Sequence, residues 1–314
     1  MDLKFTKIII PTTPHADVIA GIFLLKKFGN EKYPDIINAS IEILQQLPGG
    51  ETSDSLEKKG IIVLDVGKGK FDHHGKDSNL SQLIADDLGI LKEGALVKLL
   101  SYAERDDKYG LGTISTDQID KAFGLSGLIT ALNKGMMNPE KVISIIFPLL
   151  EAHYNEERKR VYDLPIEFKK RLQDGKAEIF EVKQAKKKLK VAIIESDDVS
   201  MPGWLKSSIG IKADIVCQRK TDGFTNIITN QLKKVDLRWL VAYLRDEEFK
   251  LKNKGKNILI NRLMTPGKVE EVPEWYYDRA TNSILNGGAN PKGIPSTAIP
   301  LKRIKEIIEE AIPR

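Results

Sequence analysis

Short apolar runs alternate with longer stretches of helical character over the first 130 or so residues. Residues 5–11 (Phe-Thr-Lys-Ile-Ile-Ile-Pro) predict a strand closed by its proline. Residues 18–28 are apolar nearly all round, as expected of a helix packed on a sheet, with Gly29 and Asn30 to end it. A second strand is expected at residues 35–40, then a short helix to Leu47, and a third strand at residues 61–64. Helices are expected over 78–88, 93–107 and 116–134. Strands that alternate with helices in this way predict a mainly parallel sheet covered by helices on both faces. Residues 139–175 form a long amphipathic run, interrupted at Pro148 and Pro165, and predict a helical bridge; His153 lies on it as a surface or packing residue. From residue 176 the period changes to short β units. Strands at 177–182 and 189–194 flank a lysine-rich turn, Lys183 to Lys188, followed by a helix at 204–209, strands at 213–219 and 224–229, a helix at 236–247 capped by Asp236, and a terminal helix from Leu301. The lysines of the turn are simplest as a solvated hairpin end; contact with a phosphate backbone is the sharper alternative. The expected fold is thus α/β: an N-terminal domain (1–138), a helical linker (139–175) and a smaller C-terminal αβ domain (176–314).

Composition narrows the function classes. The chain has 314 residues, 41% hydrophobic and 30% charged, which suffices for two packed cores. A net charge of +5 is compatible with a polyanionic substrate but far from a histone-like excess. Cys217 is the only cysteine, so no intrachain disulfide can form. There is no apolar run of about 18 residues and no signal-peptide pattern at the N-terminus, so the expectation is a soluble, cytoplasmic protein with no membrane partner.

The chemistry concentrates in residues 61–74. An apolar strand ends at Asp65, Val-Gly-Lys-Gly follows, and Asp72-His73-His74 comes seven residues after Asp65. Carboxylate oxygen and neutral imidazole nitrogen suit Mn²⁺, Fe²⁺ and Zn²⁺, and carboxylates also suit Mg²⁺. His15 and Asp17 stand in a similar place after the first strand, where helix capping is the plainer reading. Asp106 and Asp107 sit at a helix end, unfavourably against the dipole unless a cation faces them. Together these residues supply enough ligands for two divalent cations, which can prepare a hydroxide for in-line attack on phosphorus. Asp65 is the choice for the central, bridging acid, and the histidine of the pair not spent on metal would hold the phosphate or protonate the leaving oxygen. Near the end, Gly287-Gly288-Ala289-Asn290-Pro291-Lys292-Gly293 could approach an anion through backbone amides, aided by the Lys292 charge, or be an ordinary turn. Trp204, Trp275 and Tyr276 are candidates for base stacking, with core packing the plainer reading.

Val63-Leu64-Asp65-Val66-Gly67 with Phe71-Asp72-His73-His74, behind His15-x-Asp17, resembles the DHH phosphoesterase superfamily, and within it the MYG-type exoribonucleases. That superfamily also holds RecJ-type exonucleases, oligoribonucleases and family II pyrophosphatases with their exopolyphosphatase relatives. The resemblance implies four metal motifs: His15 and Asp17, then Asp65, then Asp72-His73-His74, then Asp106 or Asp107. His73 would be the metal ligand and His74 the substrate-binding histidine, with Asp65, His73 and His74 catalytic. It further implies two divalent cations, Mn²⁺ first with Mg²⁺ or Co²⁺ admissible, and a DHHA1-like second domain whose Gly287, Gly288, Asn290 and Lys292 face the metals and bind substrate. The expected function is therefore metal-dependent hydrolysis of phosphodiesters in short oligonucleotides or nucleotide-like substrates. Partners would be a phosphorylated small molecule or short single-stranded nucleic acid, with a homodimer left open. Relatives carry a further histidine upstream of the first motif where this chain has Ile10 and Pro11, and a histidine in the glycine loop where it has Ala289-Asn290. Two alternatives follow: a phosphoanhydride hydrolase, or a degenerate relative that binds nucleotide or metal without turnover.

Overall fold

The computed structural model describes residues 3–110, 112–136, 138–253 and 258–313. The chain divides into two compact units, 1–159 and 160–314. In the first, β1 (Lys7–Ile10), β2 (Ser40–Ile43) and β3 (Ile61–Val63) form a parallel sheet in the order β2-β1-β3. The alternation of side chains sorts the apolar residues between its two faces. Ile8, Ile10, Ile62 and Leu64 join the main core with helix Ala16–Phe28, whose buried residues run from Ala16 to Leu25. Ile9 and Val63 turn the other way, onto Leu56 of the short helix Ser53–Glu57. Helices thus cover both faces, as expected. The second strand lies later than expected: Asp35 takes a left-handed backbone and Ile36–Asn38 is a single 3-10 turn, with the Asn38 amide bonded to the Asp35 carboxylate at 2.6 Å. Turn chemistry wins over the apolar pair Ile36-Ile37 there, and the segment up to Leu47 is a strand and loop rather than a helix.

Helix Pro139–Arg158 buries Val142, Ile143, Ile146 and Leu150 in the core of the first unit. The division at Lys159 therefore falls inside the segment read as a bridge. A π-helical turn, Lys159–Asp163, leads into helix Leu164–Gln173, where Pro165, lacking an N–H, sits in the first turn. That second helix packs Leu164 and Phe168 against Trp204 and the sheet of the second unit.

The second unit is built on a six-stranded mixed sheet in the order β4-β5-β6-β7-β9-β8. Its strands are β4 (Ala177–Gln184), β5 (Lys187–Glu195), β6 (Ile215–Arg219), β7 (Thr225–Thr229), β8 (Trp275–Asp278) and β9 (Ser283–Asn286). Only β5 and β6 pair in parallel. The β4–β5 hairpin turns at Ala185 and Lys186, Ala185 being left-handed. Helices Arg238–Lys252 and Leu301–Ala311 cover one face, and Met201–Lys206 the other. Because it begins at residue 160 rather than 176, the second unit is nearly as long as the first rather than smaller. Cys217 is fully buried, and burial pushes its thiol up to about 12, which makes it a packing residue. Among the described residues no helix is long and apolar enough to cross a membrane.

Candidate metal centre

Because β1 and β3 are parallel neighbours, the segments leaving their carboxyl ends lie side by side. Asp17, from the helix after β1, meets the loop after β3, and helix Val97–Tyr109 adds Asp107. Asp17, His73 and Asp107 each place a ligand atom within 4.8 Å of the other two, and so do Asp65, Asp72 and His74. One hydrogen bond joins the triads: His73 Nδ1 lies 2.6 Å from Asp65 Oδ1, while its Nε2 lies 3.1 Å from Asp107 Oδ1. The two imidazole rings stack with centroids 5.2 Å apart. Asp65 thus sits at the junction of the triads. Asp106, although buried, belongs to neither, since adjacent residues of a helix point about 100° apart. His15 joins neither triad; it is exposed at the N-cap of its helix, where its carbonyl accepts the Ile19 amide.

Asp17 is fully buried and caps a helix other than its own. Its Oδ2 accepts the Leu80 amide (3.1 Å) and its Oδ1 the Ser81 amide (3.0 Å), at the start of helix Leu80–Asp87. Each oxygen keeps a lone pair for a cation. Burial pushes its pKa up to about 6, against the Ser81 hydrogen bonds. A carboxyl raised in the folded state binds protons more tightly there than in the unfolded chain. Its contribution is therefore full below about pH 4 and lost as pH rises through about 6. In metal-free protein, the stability difference between wild type and Asp17→Asn is expected to move by about 2 kcal/mol in the variant's favour between pH 4 and pH 7. Urea unfolding at the two pH values in EDTA checks this.

No family model matches the chain, and no curated protein matches it. A crystal structure described as an uncharacterized protein from Helicobacter pylori G27 aligns over 98% of this chain and 99% of its own, at 11% identity and a TM-score of 0.22. That likeness is too slight to carry an argument.

The donor set itself tests the fit to a cation. Four carboxylates converge here, and among the described residues no lysine or arginine pairs with any of them. Elsewhere in the chain the buried acids Glu157, Asp214 and Glu274 each have a lysine partner. Here positive charge is supplied by histidine alone. Burial works against a charged His73, but Asp65, Asp107 and Asp17 outweigh it and hold the imidazole above its usual range. An imidazolium between two carboxylates supplies the positive charge that a divalent cation would supply to the same oxygens. At Asp72 burial is likewise outweighed: the ring and amide of His74 and the Lys68 amide keep the carboxyl below its usual range.

The loop between Asp65 and Asp72 is a tight turn, not a flexible tether. Asp65, Gly67 and Lys68 all have left-handed backbones, and a Cβ on Gly69 would lie 2.2 Å from Ser53 Oγ. Lys70 then anchors it, donating to the Tyr33 hydroxyl (2.7 Å) and to Glu57 (2.8 Å), while Tyr33 donates to Asp87 (2.5 Å). Phe71 packs beneath. Gly-Lys-Gly-Lys carries no local signal of this anchoring, because its partners come from three other segments. Tyr33→Phe is expected to lower stability by about 1–2 kcal/mol and to weaken Mn²⁺ binding, as read by denaturation and by metal titration.

In the second unit, the expected substrate loop begins with two left-handed residues, Gly287 and Gly288. The Gly287 amide donates to Glu274 O (2.7 Å) and the Gly288 amide to Leu285 O (3.3 Å). Both amides are engaged by backbone outside the loop, which exposes Ala289, Asn290, Lys292 and Gly293. Buried Asn286 orders it, donating to Glu274 and Pro295 and accepting from Thr297. Trp275 is fully buried and Trp204 nearly so, which makes both packing residues; Tyr276 is half-buried beside Gly288.

Proposed function

We propose that this chain is a divalent-cation-dependent phosphoesterase of the DHH type, cleaving phosphodiester bonds in short oligonucleotides or nucleotide-like substrates. The observation that carries the reading is the convergence of four carboxylates and two imidazoles with no lysine or arginine partner among the described residues. Asp17, Asp107 and His73 would hold one cation, and Asp65 and Asp72 a second, with Asp65 placed to serve both. Bound cations of this kind supply an activated water and neutralise charge on the phosphoryl oxygens. Mn²⁺ suits the mixed oxygen and nitrogen donors, with Mg²⁺ and Co²⁺ the other candidates. His74 is suited to the substrate: 72% of its side chain is exposed, and Asp72 holds its Nδ1 at 2.7 Å, leaving Nε2 to bind a phosphate oxygen or protonate the leaving oxygen.

A second reading, ligand binding without turnover, draws on His15, which stands outside both triads. Hydrolysis assays with Mn²⁺, Mg²⁺ and Co²⁺ against short oligonucleotides, a chromogenic phosphodiester, pyrophosphate and polyphosphate separate these readings. Release of mononucleotide or phenolate supports the phosphodiesterase, and release of phosphate only from the anhydrides supports the phosphoanhydride alternative. Tight Mn²⁺ binding with no turnover on any substrate overturns both in favour of the non-catalytic reading.

A further inference from the structure

The β8–β9 hairpin ends away from the glycine loop in the turn 279–282, and a cleft of about 610 Å³ opens beside that turn. Its apolar wall is Val235, Met264 and Pro266, and its cations are Lys234, Arg238 and Arg279. The one acid in its lining, Asp236, is taken up by Arg238, whose Nε reaches both carboxylate oxygens at 3.0 Å and whose Nη2 reaches Oδ2 at 2.6 Å. The side chains of Lys234 and Arg279 make no ion pair or hydrogen bond among the described residues. Tyr277 is nearly buried, and its hydroxyl, which also has no hydrogen-bond partner among the described residues, lies in the field of Asp236, Arg279 and Arg238. The cleft is preformed: Asn282 ties the turn to its floor, donating to Val235 O at 2.8 Å.

We propose that this cleft binds the phosphodiester backbone of single-stranded nucleic acid. Unpaired cations beside an apolar wall suit a nucleotide, with phosphate on Lys234 and Arg279 and the base against Met264 and Pro266. The positive surface continues past the cleft. Lys187 donates to Lys233 O at 3.1 Å, which brings the lysine-rich β4–β5 turn alongside. One small anion fills the cleft alone; a chain of phosphates follows the whole band. The choice of nucleic acid over other phosphates rests on the phosphodiesterase reading, but the site itself is distinct from the metal triads and needs no metal.

The test is fluorescence anisotropy of a labelled single-stranded 12-mer in EDTA, where no turnover occurs. Wild type is compared with Lys234→Gln/Arg279→Gln and with a charge-matched control, Lys169→Gln/Lys302→Gln, over a salt series. The cleft variant is expected to bind at least tenfold more weakly, and its log-affinity against log-salt slope to be shallower by roughly 1.4. The control is expected to change far less, and all three proteins are expected to melt alike. Wild type that fails to bind, a cleft variant that binds as wild type does, or an equal loss in the control each overturn the proposal. So does tripolyphosphate that displaces the oligonucleotide at equal phosphate concentration, which would mean a small-anion site. Hydrolysis of a small chromogenic phosphodiester with Mn²⁺ is expected to be unchanged in the cleft variant. Its absence in wild type would count against the metal-centre reading alone.

Discussion

Asp65→Asn is expected to lower Mn²⁺-dependent phosphodiester hydrolysis on the order of 10³-fold, the scale of losing a group that acts on transition-state charge. Asparagine is a better probe than alanine here. Asp65 has φ 54°, a left-handed conformation that asparagine tolerates and alanine resists, and its amide still donates to Phe71 O at 3.1 Å. The change therefore removes a charge and leaves the turn. Three readouts follow. Turnover falls, the rise in melting temperature on adding Mn²⁺ shrinks, and the pKa of His73 falls, because the Asp65 carboxylate is one of the charges that raises it. Undiminished hydrolysis in this variant would refute the catalytic reading, since Asp65 is the residue that links the two triads.

Arg245→Met is expected to destabilise the second unit by about 3–5 kcal/mol, which in a unit of this size lowers its melting temperature by about 10 °C. Arg245 is fully buried, and its guanidinium donates to four backbone carbonyls: Trp275 (2.9 Å), Leu263 (2.8 Å), Thr265 (2.8 Å) and Gly267 (2.6 Å). Burial pushes its pKa down to about 10, so the cation persists at neutral pH with carbonyl dipoles as its partners. Methionine of similar length fills the space but removes the guanidinium donor from each of those buried carbonyls, of which Gly267 O keeps the Tyr277 amide at 3.1 Å. Arg245→Lys is expected to recover little, because an ammonium cannot fork to acceptors on three sides. Calorimetry that finds the methionine variant as stable as wild type would show that water replaces the guanidinium at no cost.

Much of the first unit was legible in the chain. β1 and β3 follow from β-branched runs, and the helix between them from an apolar surface on every side. The β4–β5 hairpin followed from two alternating runs around a lysine turn. Strands β8 and β9 left no such trace. Trp-Tyr-Tyr-Asp and Ser-Ile-Leu-Asn are four-residue segments, held in place by pairing with each other and, for β9, with β7 rather than by any pattern of their own. The cationic cleft was equally hidden, since Lys234 and Arg279 come from segments on either side of helix Arg238–Lys252.

What the sequence determined by itself was the supply of candidate ligands and their place in the segments that follow strands: Asp65, the Asp72-His73-His74 run, and Asp17 two residues beyond His15. Local periodicity and residue chemistry suffice for that, because both are properties of neighbours along the chain. Which of these side chains meet was decided only by tertiary structure. The parallel pairing of β1 with β3 carries Asp17 to His73, the rotation of one helix brings Asp107 and not Asp106 to the same imidazole, and His15 is left in solvent. Those outcomes depend on contacts between residues dozens of positions apart, and no short-range pattern encodes them.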